Sequence, residues 1–337
     1  MKALGAHIYA GGFSLGVMEH FDVVGHCEDG AFGVETAVNN LGVPIYQKSD
    51  GWPTLDDIAL IYCNPPCAPW SASSVGRANT WDRDDRLACQ HDCMELFLRH
   101  QPKVFMMESV RGMYTKGKSM VMEFVMDAMN HGYATYFILC DANNHGVPQN
   151  RRRFFLVFSK VEITWQPTAR LEIPSGDALA KMTTPGDTRK TEMRTGIKWQ
   201  SIVDKVPQGG TMKQTFADEF PELIGVPKCG RGSFMLRRLD PNGPAQTFTG
   251  DVKTFHPDED RFLTIQEAAV LSGFPEDYKF SGATGLGYSQ IAKGVLPPVA
   301  EYMAQQIKIA IERDWHPATL DPREVTIGRD EVEVAIV

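Results

Sequence analysis

The chain has 337 residues, 43% of them apolar and 23% charged, which is the make-up of a folded protein and excludes a disordered or low-complexity one. That length fits one large α/β domain with a smaller companion, and no apolar run reaches the ~18 residues that a membrane span needs. A formal net charge of −8 excludes a broadly basic nucleic-acid coat, so any polyanion site must be a local patch on an acidic body.

In chain order, residues 6–12 read as a strand entering a Gly turn, and Leu15 to His20 begin a helix. Val23 to Cys27 is a second strand ending at Glu28-Asp29; a helix over Ala31 to Leu41 follows, then a short strand at Pro44 to Gln47. The apolar run Ile58 to Cys63, a helix from Asp84 to His100, a strand at Val104 to Met107, a helix over 119–131 and strands at 134–140 and 154–158 continue the alternation. Such a βα pattern predicts a doubly wound, mostly parallel sheet with helices on both faces. From about Val161 to Asp260 the texture turns rich in Pro, Gly, Thr and Lys, as a smaller inserted domain would be. Helical periodicity returns at Thr264 to Ser272 and Pro298 to Arg313. The expected division is 1–160 plus 262–313 for the larger domain and 161–261 for the smaller. The tail 314–337 is either an edge strand, through its alternating stretch Glu331 to Ile336, or disordered.

The opening residues lack the apolar core of a signal peptide, and seven cysteines, an odd number, point to a reducing cytoplasm. Cys63, Cys67, Cys89, His91 and Cys93 invite a zinc reading, but their two C-x3-C spacings are unusual for zinc knuckles and packing is the better account. Metal ligands are therefore not expected. Basic clusters occur at Arg151-Arg152-Arg153, Lys228 to Arg231 and Arg237-Arg238.

Chemistry concentrates where strands end. Cys67 follows the run 58–63 within Cys63-Asn64-Pro65-Pro66-Cys67-Ala68-Pro69-Trp70-Ser71, held stiffly by two prolines beside a polar stretch from Ser71 to Asp85. Glu108 follows the strand 104–107, in the same crevice, where burial can raise a carboxyl enough to hold and deliver a proton. Gln149-Asn150-Arg151-Arg152-Arg153 leads into the strand 154–158, and alternation sends Arg151 and Arg153 to one side. Two guanidinium groups on one face suit a carbonyl oxygen and a second anionic group. Upstream, Tyr9-Ala10-Gly11-Gly12-Phe13 is a Gly turn between strand and helix. Glu28 stands where an acid can accept bonds from ribose hydroxyls, and Asp50 where it can meet an adenine amino group.

These segments resemble, in order, the motifs of the cytosine-C5 DNA methyltransferases. Pro66-Cys67 is similar to the family's catalytic Pro-Cys, Glu108-Ser109-Val110 to Glu-Asn-Val, and Gln149-x-Arg151-x-Arg153 to Gln-x-Arg-x-Arg. Arg261 to Ala269 with Gly273-Phe274-Pro275 is similar to the motif beside the target-recognition region, and Tyr288 to Val295 to the last cofactor motif. The Gly turn is shorter than the family's, and Ala68, Ser109 and Ala292-Lys293 replace its Gln, Asn and Gly-Asn.

The resemblance implies a Rossmann-like fold with S-adenosylmethionine as cofactor, bound by Tyr9, Gly11, Gly12, Phe13, Glu28, Asp29, Asp50, Pro66 and Lys293. It implies catalysis by Cys67, Glu108, Arg151 and Arg153, and transfer to C5 of a cytosine flipped out of DNA. Ser71, Arg77, Arg83, Arg86 and Arg237 are the expected nucleic-acid contacts, on a cytoplasmic monomer in a bacterial or phage-infected cell. Lys293 raises a further expectation, because an ammonium beside a sulfonium calls for a compensating anion. Carboxy-S-adenosylmethionine, whose transferred carbon bears a carboxylate, would supply one; ordinary methylation stands ahead of it. The same motifs leave room for an RNA cytosine-C5 methyltransferase, or for a nucleic-acid binder without catalysis.

Overall fold

The computed structural model describes all residues except 71–83, 169–171, 189–202, 220–235, 251–253, 314–319, 328–331 and 337. Its strands in chain order are β1 (Lys2–Ala6), β2 (Asp22–Glu28), β3 (Ile45–Gln47), β4 (Ile58–Cys63), β5 (Val104–Ser109), β6 (Ala134–Asp141) and β7 (Gln149–Asn150). They continue with β8 (Arg152–Ser159), β9 (Arg237–Arg238), β10 (Ala245–Gln246), β11 (Thr254–Phe255), β12 (Arg323–Ile327) and β13 (Val332–Ile336). Residues cluster into two units: 1–145 with 151–171 and 294–337, and 146–150 with 172–293.

The first unit is built on a nine-stranded sheet in the order β13-β12-β6-β8-β5-β4-β1-β2-β3. Every residue of β4 and β5 is buried, as strands covered on both faces must be. The expected mostly parallel α/β sheet is present; β8 runs antiparallel to β5 and β6, and β13 antiparallel to β12. Five helices lie between the strands: α1 (Gly12–Met18), α2 (Val34–Leu41), α3 (Ala88–His100), α4 (Arg111–Lys116) and α5 (Lys118–Asn130). Gly16 lets α1 lie against the later helix 297–312, since a Cβ there would sit 2.3 Å from Glu301 N and 2.4 Å from Pro297 O.

The second unit carries α6 (Ser175–Ala180), α7 (Met212–Glu219), α8 (Ile265–Val270) and α9 (Thr284–Lys293), while α10 (Pro297–Glu312) returns to the first. Two short parallel pairs, β7 with β10 and β9 with β11, are its sheet structure among the described residues. Helix α8 opens with a capping box in which Thr264 and Glu267 exchange bonds.

The structure differs from the sequence reading at several points. The first strand covers Lys2–Ala6 rather than 6–12, because His7, Tyr9 and Gly11 take left-handed backbone angles (φ 54°, 56° and 86°) that no strand tolerates. Glu108 lies inside β5, paired with Phe155, rather than after it. Residues 262–293 cluster with the second unit: Arg261 bonds Glu267, and the Tyr288 hydroxyl donates to Leu263 O, tying α8 and α9 to the segment before them. The tail supplies two strands, β12 parallel to β6 and β13 beyond it, where the sequence suggests at most one.

Candidate functional site

The site is built where β1, β2, β4 and β5 end. After β4, Asn64 N–H donates to Ala6 O at 3.0 Å, which fastens the start of the Asn-Pro-Pro-Cys turn to the neighbouring strand. The turn closes with Trp70 N–H donating to Cys67 O at 3.1 Å. Trp70 itself is buried and rests on two glycines: a Cβ at Gly112 would lie 2.1 Å from Trp70 O, and one at Gly117 would lie 2.7 Å from its ring. Gln90, from α3, donates to Pro66 O at 3.0 Å. The cysteine therefore sits on a turn held from three sides.

Glu108 faces this turn. Its Oε2 accepts from Asn64 Nδ2 at 2.6 Å and its Oε1 lies 3.1 Å from Arg153 Nε, with the carboxyl 3% exposed. Burial pushes Glu108 up to about 7, against the opposing pull of Arg153 and Arg151. At neutral pH the group is divided between acid and carboxylate, which suits proton delivery. Burial and the Glu108 charge raise the part-exposed Cys67 thiol, and Arg153 and Arg151 act the other way. Arg151 is buried with a single hydrogen bond, Nη2 to Gly294 O at 2.7 Å, while its Nε and Nη1 have no partner among the described residues. Burial and the Arg153 charge bring Arg151 down to about 9. As alternation predicts, Arg152 points the other way, exposed and paired with Asp141.

On the far side of β1, Glu28 is buried and accepts Ile8 N–H at 2.7 Å. Burial lifts it to about 8, opposed by hydrogen bonds from the Ile8 and Tyr9 backbone. Gly11 takes its left-handed angle at the start of α1, and Gly33 has no room for a Cβ, which would sit 2.5 Å from Tyr9 C. A bare-backbone loop beside a strand-end carboxylate fits the adenosine part of the implied cofactor. Asp29 is exposed with Lys48 at 3.7 Å; Asp50 is exposed at the end of a short 3₁₀ turn. Phe13 is fully buried edge-on against Tyr62 and Phe155, so it supports α1 from beneath.

Cys67, Glu108, Arg151 and Arg153 thus converge within the first unit. Lys293 is exposed as the last residue of α9, in the second. Arg86 is engaged by Asp84, Nε to Oδ1 at 2.7 Å, and Arg237 lies half-buried in β9. Ser71, Arg77 and Arg83 lie outside the described residues. Of the five residues that invite a zinc reading, Cys63 and Cys93 are fully buried, Cys89 is half-buried, and His91 is exposed and stands edge-on to Phe124. Sequence reasoning passes over Asn64, Gln90 and Trp70; the only signal is an amide directly before Pro-Pro.

The chain is similar to a type II methyltransferase, M.AplI, of Arthrospira platensis, at 29% identity over 90% of this chain and 84% of the relative. It is also similar to a putative type II methyltransferase of Methanocaldococcus jannaschii, at 27% identity over 88% and 96%. In fold it resembles the crystal structure of a putative DNA modification methyltransferase encoded within an E. coli prophage, with a TM-score of 0.66 at 21% identity over 93% of this chain and 99% of that one. A profile of the C-5 cytosine-specific DNA methylases matches residues 8–309. With the ordered motifs and this strand-end site, that match means that the chain belongs to the C-5 cytosine-specific DNA methylase family.

Proposed function

We propose that the protein methylates C5 of cytosine in DNA through a covalent adduct between Cys67 and the base, with S-adenosylmethionine as methyl donor. The observation that carries the reading is the buried Glu108, held by Asn64 and Arg153, poised near neutrality and electrostatically coupled to the Cys67 thiol. Cytosine C5 is a weak nucleophile until a thiolate adds at C6 and turns the ring into an enamine. Cys67 gives its proton to solvent and its sulfur pair forms the bond to C6. Glu108, in its acid form, protonates N3 so that no negative charge accumulates on the ring. The arginine pair holds the carbonyl oxygen, Arg153 directly and Arg151 behind it. The enamine pair at C5 would then take the methyl carbon as its bond to the cofactor sulfur breaks and a neutral thioether departs; C5 gives up its proton to solvent, the returning electrons expel Cys67 as thiolate, and N3 hands its proton back to Glu108.

Tyr9, Gly11, Gly12, Glu28, Asp29 and Asp50 would hold the cofactor, with Pro66 at its edge and Phe13 packing below. When bound, S-adenosylmethionine supplies the electrophilic methyl carbon. The base reaches such a pocket only after leaving the duplex stack. Arg86 and Arg237, with Ser71, Arg77 and Arg83, are the proposed contacts to DNA. Lys293 is exposed at its helix end, and methyl is the group proposed ahead of carboxymethyl.

Incubation with DNA containing 5-fluorocytosine tests the reading. A stable adduct through Cys67 is expected, because fluorine cannot leave as the C5 proton does. Absence of an adduct in the presence of cofactor would sink the covalent route. Nucleoside mass spectrometry of DNA from expressing cells then identifies the group by its added mass, methyl or carboxymethyl.

A further inference from the structure

Behind the Gly turn lies a second group of side chains that the proposed reaction does not use. His7, Cys89 and Asp92 each offer one donor atom, and the three atoms lie within 4.8 Å of one another. Among the described residues this is the one place where such donors converge. Cys89 and Asp92, three residues apart, share a face over the first two turns of α3, and His7 comes from the loop after β1.

Three observations mark the group as more than packing. His7 Nε2 is buried with no hydrogen-bond partner among the described residues, and it stands 4.0 Å from Asp92 Oδ2, too far for a bond of its own. The ring is fixed in that aim, because the His7 backbone N–H donates to Cys27 O at 2.9 Å and the imidazole packs edge-on against Trp52. His7 also holds a left-handed φ of 54°, a strained angle that persists only where its surroundings over-determine it. Asp92 carries a cation already: Lys48 Nζ donates to its Oδ2 at 2.7 Å and lies 3.7 Å from Asp29.

We propose that His7, Cys89 and Asp92 form a binding site for a zinc-class divalent cation. A nitrogen, a thiolate sulfur and a carboxylate oxygen are the donor set such an ion takes, with a fourth position left for water or a ligand. Binding needs two exchanges. Cys89 gives its thiol proton to solvent, so the site with its ion is neutral. Lys48 leaves Asp92 and pairs with Asp29, which is already at hand, so no charge is stranded. The ion would fasten the Gly turn to α3.

Cobalt(II), added to the full-length protein without S-adenosylmethionine, is the probe. The expected result is a sulfur-to-metal charge-transfer band with the intense visible bands of a tetrahedral site. It should persist in Cys67→Ala and vanish in Cys89→Ala. Zinc titration should show His7→Ala weakening affinity by more than about 100-fold, beyond the range for a group that only supports a ligand. Lys48→Met should tighten it by removing the competing cation. No cobalt band, or a band lost with Cys67 and kept without Cys89, would overturn the proposal. So would cobalt silence combined with weaker S-adenosylmethionine binding in His7→Ala, since His7 Nε2 would then serve the cofactor. Unaltered circular dichroism in each variant rules out misfolding as the cause of a lost signal.

Discussion

The two units each bury arginines, and they treat them in opposite ways. In the second unit Arg238 is 5% exposed and spends its guanidinium fully: Nε donates to Val206 O, Nη1 to His256 O and Glu259 O, and Nη2 to Val203 O and Asp260. Arg261 is bonded to both Glu259 and Glu267, whose carboxylates raise its pKa. In the first unit Arg151 is equally buried but its guanidinium makes one hydrogen bond among the described residues, and its pKa is lowered. A fully satisfied buried charge knits loops together; one left short of partners by its own fold is waiting for something else. Glu267, bonded by Arg261 and by the Thr264 backbone, belongs with Arg238 on this count. The difference separates architecture from chemistry without reference to any relative.

Variants can break or sharpen that contrast. Cys67→Ser should produce the largest effect, lowering turnover by about 10⁴-fold or more, the scale for removing a nucleophile that acts with partners. Single-turnover assays with labelled cofactor measure it, and substantial residual turnover would remove Cys67 from the reaction. Arg238→Met removes five hydrogen bonds, two of them to buried carbonyls, and should cost the second unit about 3–5 kcal/mol, read from urea unfolding. Arg151→Met is the counterpart. It should cost no more than about 1–2 kcal/mol for the single bond lost, while turnover falls by about 10²–10³-fold. Equal stability losses in the two variants would erase the distinction.

The smallest effect concerns pH. Glu28 is lifted from 4.5 to about 8 on folding, so the folded chain holds its proton over a range where the unfolded chain has released it. Its contribution to stability is therefore present below 4.5 and is lost as pH rises toward about 8. Thermal unfolding of Glu28→Gln should show a shallower decline over that window. An unchanged slope would place the titration elsewhere.

Much of this is legible in the sequence because strand ends announce themselves. The apolar runs at 58–63 and 104–107 fix where Cys67 and Glu108 emerge, and alternation separates Arg152 from its neighbours. The first strand is misread because His7 and Tyr9 look like ordinary strand residues; their left-handed angles are set by contacts such as Gly33 beneath Tyr9, which no local pattern records. Asn64 and Trp70 escape notice for a similar reason. Each acts through partners more than 40 residues away, Glu108 and Gly112, so neither leaves a periodic trace. The clustering of 262–293 with the second unit leaves no such trace, because helical periodicity says that α8 and α9 exist and not which core receives them.

The position of β12 beside β6 has a consequence for biosynthesis. The edge of β6 that β12 covers leaves the ribosome roughly 180 residues before its cover, which at about 5–20 residues per second is on the order of 10–40 s. Throughout that interval the nascent chain carries an open row of backbone donors and acceptors flanked by Tyr136, Phe137 and Ile138, the kind of edge that recruits other strands. Yield of native protein should therefore depend on translation speed and chaperone supply over the second half of the message, well after Arg153 has been made.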